Sequence, residues 1–312
     1  MTAVSVIIPT RNRPRMLLQT ISTVCAQQVD LEIIVIDEGS DDPTASRIAS
    51  LEDTRTRVIR HERPLGVSAA RNAGIALASA EWVAFVDDDD LWLPDKLTQQ
   101  LQAAQRMNAP WVFGGALEFA DGLRLLHVHS PPATVREAVT RLPYANVVPG
   151  GGSNVLVKRD LLATTGGFDE SANLMADWDL WIRIADIGEP ALVDGPVVAY
   201  RLHPGNSSKR VDLMLQEAAY VEAKHRHLRA GDSIDWDDLY RWLGAAALRE
   251  GDGRAARRLA LRAYRAGHRG ALRRLARALL PNRQNGTFSP NPHEVGWPGD
   301  TRRWIEQVVQ AP

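Results

Sequence analysis

Val4 to Ile8 is a β-branched run interrupted only by Ser5 and closed by Pro9 and Thr10, and behind it Leu17, Leu18, Ile21 and Val24 recur at helical spacing. Strand, loop and helix are predicted in that order. Glu32 to Asp37 repeats the strand pattern as EIIVID, with Gly39, Ser40 and two aspartates at its end. Val58 to Arg60 reads as a short third strand, Gly66 to Ala80 as an alanine-rich helix, and Trp82 to Val86 as an apolar strand ending in the aspartates Asp87 to Asp90. Pro94 is expected in the first turn of a helix that continues through Leu97 and Leu101.

From Trp111 to His129 the pattern shortens to antiparallel strands about a turn at Asp121 and Gly122. Pro149 to Gly152 is a flexible or close-approach segment, Asn154 to Lys158 a strand, Asp177 to Ile187 a Trp-bearing helix and Ala191 to Leu202 a strand. Beyond Ser208 alanine, leucine and arginine recur in helical pattern from Val211 to Leu280, and Pro281 to Pro298 reads as an extended strap closed by a short helix around Trp304. The predicted division is an α/β domain at 1–208, a helical accessory region at 209–280 and an extended tail at 281–312.

Nearly continuous apolar strands alternating with helices argue for a mostly parallel sheet covered on both faces. In such sheets ligands bind beyond the carboxyl ends of the strands. Thr10 to Arg13, Asp37 to Asp41 and Asp87 to Asp90 all follow strand ends, so these distant clusters are predicted to meet on one rim.

Composition alters this picture little. The 312 residues carry a formal net charge of −1 and a pI near 6.7, which gives no overall pull toward nucleic acid. Cys25 stands alone, so no intrachain disulfide is expected and a reducing, cytoplasmic setting is favoured. The apolar start lacks a basic leader and a small-residue cleavage site, and reads as a first strand rather than a signal peptide. No stretch reaches the ~18 apolar residues of a membrane span. Arg254, Arg257, Arg258, Arg262, Arg265, Arg269, Arg273, Arg274 and Arg277 face only Asp252 in acid, a local basic surface suited to an anionic membrane or to a solvated helix face.

Four adjacent carboxylates repel one another at a strand end unless a cation or hydrogen-bond donors compensate them. A hard divalent ion does so, and oxygen ligands suit manganese or magnesium completed by substrate phosphates. A solvated acidic turn is the alternative. Asp37 and Glu38 end a second strand within reach of a nucleobase or ribose, or serve as turn residues. Arg71 is suited to a phosphate or to an aspartate across the rim. Asp177, in MADWDLWIR, is a candidate proton acceptor or a helix-capping residue, and His203 a candidate metal or phosphate ligand.

VSVIIPTRNRP, EIIVIDEGSDD, GVSAARNAGIALASAEWVAFVDDDDLWLPDKL, GGFDE and ADWDLWIRIA together resemble the family 2 inverting glycosyltransferases with the GT-A fold, over about Val4 to Ser208. The resemblance implies a Rossmann-like mixed sheet and transfer of a sugar from a nucleoside-diphosphate donor to an unidentified acceptor. It places Pro9, Thr10, Arg11, Asp37, Arg71, Asp87 and Asp88 on the donor nucleotide, with Asp87 to Asp89 resembling the DxD region. Asp89 and His203 fall to the metal, Mn2+ or Mg2+, and Asp177 to the general base. UDP is the favoured base, with dTDP or GDP as alternatives, because Arg11 stands where many members carry an aromatic residue. Glu38 replaces a usual Asp, and Ala176 a Glu before the base. A nucleotidyltransferase would want a phosphate loop after the first strand, which TRNRP does not supply. A non-catalytic nucleotide-sugar-binding or peptide-docking module is the other alternative.

Overall fold

The computed structural model describes residues 2–41, 48, 53–120, 122–203, 205, 210–249, 251–268, 270–273 and 296–310. Expectations for Asp121, Arg269, Arg274, Arg277 and residues 281–295 lie outside that set.

β1 (Val4–Thr10) is buried along its whole length and lies between parallel β2 (Leu31–Asp37) and parallel β4 (Trp82–Phe85). β3 (Thr56–Arg60) extends this half at its edge, parallel to β2. Beyond β4 the sheet turns mixed, in the order β3-β2-β1-β4-β8-β6-β9-β5. β8 (Leu156–Lys158) is antiparallel to both β4 and β6 (Trp111–Ala120), β9 (Pro190–Leu202) is parallel to β6, and β7 (Arg124–His129) pairs antiparallel with β6. β5 (Leu91–Trp92), a two-residue strand antiparallel to β9, has no pattern of its own in the sequence and exists because β9 pairs with it.

α1 (Pro14–Cys25) buries Leu17, Ile21 and Val24 against the first strands, as their spacing requires. α2 (Val67–Leu77) is shorter than expected, because Ala78 is already extended. α3 spans Lys96–Met107, so Pro94 precedes the helix instead of lying in its first turn. α4 (Val135–Arg141), not anticipated from the pattern, is capped by the Thr134 hydroxyl, which accepts from the Glu137 amide. α5 (Arg159–Thr165) and α6 (Ala176–Ala185) precede β9, and Trp111, Phe113 and Trp181 stack within the core between them and the sheet.

Two compact units divide the chain, one of 1–142, 146–202 and 295–312, the other of 143–145 and 203–294. The extended tail expected at 281–312 closes in a helix that contains Trp304. α10 (Thr301–Gln310) belongs to the first unit because Ile305 is fully buried in an apolar cluster with Leu91, Leu117, Phe119 and Ala199. The Gln19 amide also donates to the Val309 carbonyl at 3.0 Å.

Among the described residues the second unit contains the helices α7 (Val211–Lys224), α8 (Trp236–Arg249) and α9 (Gly253–Arg265), where α8 and α9 pack through Ala247, Ala255 and Ala256. Its arginines have more acid than expected, since Arg258 and Arg262 reach Asp212 at 3.4 and 3.8 Å. Among the described residues no helix is long and apolar enough to cross a membrane.

Candidate active site

Parallel pairing brings Thr10 opposite Asp37 and Ile7 opposite Phe85, so the chain leaves β1, β2 and β4 on one rim. Each aspartate of the acidic run is compensated differently there. Asp87, with 37% of its side chain exposed, receives Arg71 Nη2 at 2.5 Å. Asp88 is buried and accepts from the Thr10 hydroxyl at 2.7 Å, the Arg11 amide at 3.4 Å and Arg13 Nη1 at 2.8 Å. Asp89 takes the same Arg13 nitrogen at 2.6 Å. Asp90 is fully buried and accepts from the Ser153 hydroxyl at 2.6 Å and the Arg201 amide at 3.1 Å, tying the run to the far half of the sheet.

Burial, and next the charge of Asp89, push Asp88 up to about 7 against the opposing pull of Arg13 and Thr10. The same two causes, with Asp87 added, hold Asp90 well above the usual carboxylate range.

Arg71, buried on α2, is supported from beneath by Phe168, whose ring lies 5.1 Å from the guanidinium carbon and edge-on to Phe85 of β4 at 5.0 Å. Its neighbour Asn72 clamps that loop, accepting from the Phe168 amide at 2.8 Å and donating to the Phe168 carbonyl at 2.9 Å. GGFDE and ARN are thus one device that aims Arg71 at Asp87. Glu38 holds the start of α2, accepting from the Leu65 and Gly66 amides at 2.9 and 2.6 Å and meeting His61 Nδ1 at 2.5 Å.

Asp177 lies in the first turn of α6, half-buried, and accepts from the Trp178 amide at 2.7 Å and Asn146 Nδ2 at 3.4 Å. Burial raises its pKa; Arg71 pulls it down and Asp87 pushes it up. Asp179, two residues on, is fully buried and held by Arg183 at 2.8 Å, which makes it a structural partner. The turn Gly151–Asn154 lies against both functional groups: a Cβ on Gly151 would stand 2.8 Å from Asp177 Oδ2, and one on Gly152 2.9 Å from Arg71 Nη2. Asn154 anchors this turn, donating to the Gly114 and Pro149 carbonyls at 2.8 and 2.6 Å. Behind it, Gln100 donates to the Asn154 carbonyl at 2.6 Å and accepts from Lys96 Nζ at 2.7 Å. Lys96 lies 4.2 Å from the Trp92 ring, and burial drives its pKa well below the ordinary lysine value.

The rim therefore gathers Thr10, Arg11, Arg71, Asp87, Asp88 and Asp89, with Asp177 coupled to it through Arg71. Pro9 is buried in β1 opposite Ile36, and Arg11 is exposed. Asp37 is fully buried, accepting from the Ser40 amide at 2.9 Å and from Arg60 Nη1 at 2.8 Å. His203 belongs to the second unit, where its Nδ1 accepts from the Gly205 amide at 3.0 Å. Arg13 and Ser153 were not singled out from the sequence. Arg13 stood inside the TRNRP motif, but nothing local indicates which of its two arginines points to the acids; Ser153 has no local signal beyond its glycine-rich setting.

Among the described residues no group of three or more His, Cys, Asp or Glu side chains gathers into a metal cage. The rim instead offers adjacent hard carboxylates, of which Asp87, paired with Arg71, is partly exposed. That donor set fits an ion of the magnesium or manganese kind, which takes one or two carboxylates and completes its shell with water and phosphate.

Comparison with known proteins agrees with the fold. The chain is 31% identical over 112 residues to UDP-Glc:alpha-D-GlcNAc-diphosphoundecaprenol beta-1,3-glucosyltransferase WfgD of Escherichia coli, a match covering 36% of this chain and 44% of that enzyme. It is 28% identical over 239 residues to WfaP of Escherichia coli, which carries the same description, covering 72% of this chain and 90% of that enzyme. The fold superposes on S. aureus TarS 1-349 in complex with UDP-GlcNAc with a TM-score of 0.55 at 15% identity, covering 89% of this chain and 80% of that one. It superposes on the mannosyltransferase PcManGT from Pyrobaculum calidifontis, in complex with GDP-Man and Mn2+, with a TM-score of 0.54 at 22% identity, covering 88% and 78%.

A mixed sheet of this order, shared with these solved transferases, is the GT-A fold. The family model for Glycosyl transferase family 2 matches residues 5–166, and the chain belongs to that family.

Proposed function

We propose that the protein is an inverting, metal-dependent transferase that moves a sugar from UDP to a hydroxyl of an isoprenoid-diphosphate-linked acceptor. The observation that carries the reading is the pairing of Arg71 with Asp87 beside Asp177, with the side-chain-free turn at Gly151 and Gly152 pressed against both. A cation and a proton acceptor flank one narrow approach, as displacement at a sugar carbon requires.

Asp177 accepts the proton of the attacking hydroxyl, and the burial that raises its pKa makes it a stronger proton acceptor than an ordinary aspartate. Inversion follows if that hydroxyl attacks the face opposite the diphosphate. Arg71 stabilises the charge that develops on the departing diphosphate, held in place by Phe168 and Asn72. Pro9, Thr10, Arg11 and Asp37 form the nucleoside side of the rim, and the exposed Arg11 guanidinium stacks on the base. Asp89, with the partly exposed Asp87 beside it, would hold the divalent ion, which supplies Lewis-acid stabilisation of the leaving diphosphate.

UDP is favoured over dTDP and GDP because the two Escherichia coli relatives are described as UDP-glucose enzymes. Their acceptor, a sugar on diphosphoundecaprenol, supports a lipid-linked acceptor for this chain, met at the cytoplasmic face of a membrane. The second unit offers a suitable contact, with Arg254, Arg257 and Arg265 on α9 and exposed Leu261, Tyr264 and Leu272 nearby in sequence.

The test is transfer from radiolabelled UDP-glucose and UDP-GlcNAc to GlcNAc-diphospho-lipid by wild type and Asp177→Asn with Mn2+. Transfer by wild type, lost in the variant while UDP binding is retained, supports the reading. Equal turnover by Asp177→Asn contradicts it, and UDP binding without transfer under any condition favours a non-catalytic nucleotide-sugar-binding module.

A further inference from the structure

We propose that Trp92, Lys96 and Gln100 form a bracket that positions the glycine turn and, through the turn, sets the gap between Arg71 and Asp177, a role that rests on those two groups being the transferring pair. The three are positioning residues and take no part in the chemistry themselves.

Gly151 and Gly152 meet Asp177 and Arg71 without side chains, and Gly150 and Gly151 take left-handed φ of 70° and 54°. A glycine path of this kind is not pinned by its own residues, so its place must be set from outside. The two carbonyls that end the turn are where this happens. Trp92 Nε1 donates to the Ser153 carbonyl at 2.8 Å, and Gln100 Nε2 donates to the Asn154 carbonyl at 2.6 Å. The Asn154 side chain ties the same point to β6 by accepting from the Gly114 amide at 2.8 Å.

Gln100 can hold the turn in one orientation only. Its amide has a donor end and an acceptor end, and a carbonyl takes a hydrogen bond only from the donor end. Lys96, one turn earlier on α3, donates from Nζ to Gln100 Oε1 at 2.7 Å and so keeps the acceptor end on its own side. Trp92 holds the lysine in its turn, with Nζ 4.2 Å from the ring. All three side chains are fully buried.

The stretch that follows the acidic run therefore reaches beneath the glycine turn. Ser153 closes the connection, since its hydroxyl accepts from the Asp87 amide at 3.0 Å and donates to Asp90 at 2.6 Å. Turn and acidic run are held as one piece.

A lysine is a costly way to fill a core. Burial drives the Lys96 pKa well below the ordinary lysine value, and the groups that receive its Nζ are an amide and a ring instead of a carboxylate. Methionine, of similar length and without charge, fills such a space at lower cost. Stability alone gives no reason for Lys96, whereas the orientation of Gln100 does.

The test is glucose transfer from UDP-glucose to GlcNAc-diphospho-lipid by the full chain with Mn2+, comparing wild type, Asp177→Asn and Lys96→Met, with a thermal melt of each. In Lys96→Met, kcat is expected to fall ~10- to 100-fold while the KM for UDP-glucose stays within ~3-fold and the melting temperature holds or rises. If that variant does not fold, Gln100→Glu decides, because it keeps the acceptor for Lys96 and loses the donor to Asn154; the same split between kcat and KM supports the proposal, and an unchanged kcat overturns it. Asp177→Asn inactive beside a fully active Lys96→Met overturns this inference alone. So does a loss of kcat that comes with a lower melting temperature and a KM raised in proportion, since it marks a support of the fold only. A wild type that transfers no glucose, or that Asp177→Asn matches, contradicts the reading of Arg71 and Asp177 itself, and this inference falls with it.

Discussion

Asp177 and Asp179 stand two residues apart in one motif and have opposite fates. Asp179 is fully buried on Arg183, while Asp177 is half-buried beside a glycine turn. If Asp177 is the base, Asp177→Asn keeps its shape and loses its proton affinity, so kcat is expected to fall ~10²- to 10⁴-fold with little change in UDP affinity. Burial raises the pKa of Asp177 and Arg71 lowers it. Only the deprotonated form accepts a proton, so kcat should fall as pH drops through that pKa. Removing Arg71 takes away a lowering influence, and the acidic limb of the kcat profile of Arg71→Met should move to higher pH. An unmoved limb would show that the two groups are not coupled.

Gly151 tests the same neighbourhood by shape. Its φ of 54° disfavours any side chain, and a Cβ would stand 2.8 Å from Asp177 Oδ2. Gly151→Ala is expected to displace the carboxylate and lower kcat by about 10- to 100-fold. Steady-state kinetics beside a thermal melt separate that loss from simple unfolding.

At the scale of elements, what the sequence made legible was local. β1, β2, β4 and α1 announce themselves through β-branched runs and helical spacing, and the rim follows because parallel pairing puts their carboxyl ends together. Elements defined by distant partners were not legible. β5 is two residues long and is set by β9, and α4 is set by a cap within a stretch of mixed polarity. The same holds inside the site: the acidic run was plain in the sequence, but its division into a partly exposed Asp87, a clamped Asp88 and Asp89 and a structural Asp90 depends on Arg13, Arg71 and Ser153 arriving from elsewhere.

α10 is the clearest case. Its composition gave a short helix around Trp304, yet its place beside Leu91, Phe119 and Ala199 comes only from tertiary packing. Ile305→Ala leaves a cavity in that cluster, and a loss of about 2–4 kcal/mol is expected in urea denaturation. A change below about 0.5 kcal/mol would show that α10 does not support the first unit. Leu91 directly follows the acidic run, and Gln19 joins the Val309 carbonyl to Arg201 Nη1, so the same variant should also weaken UDP binding.

At the scale of the whole molecule, a net charge of −1 conceals a basic helical unit. If α9 meets an anionic membrane, the full chain should sediment with phosphatidylglycerol vesicles and not with neutral ones. High salt should release it, and Arg254→Glu with Arg257→Glu and Arg265→Glu should abolish the binding, each arginine contributing about 1 kcal/mol near such a surface. Binding that ignores salt and charge would point to a different docking face.

If the rim beyond β1, β2 and β4 is the donor site, nucleotide and metal must stabilise the fold together there. Thermal shifts of wild type and Asp89→Ala are recorded with UDP, GDP, CDP or dTDP, each with Mn2+, Mg2+ or chelator. The account predicts a clear rise in melting temperature for UDP with Mn2+, absent with chelator and lost in Asp89→Ala. No shift for any nucleotide with any metal, or an undiminished shift in Asp89→Ala, would contradict it.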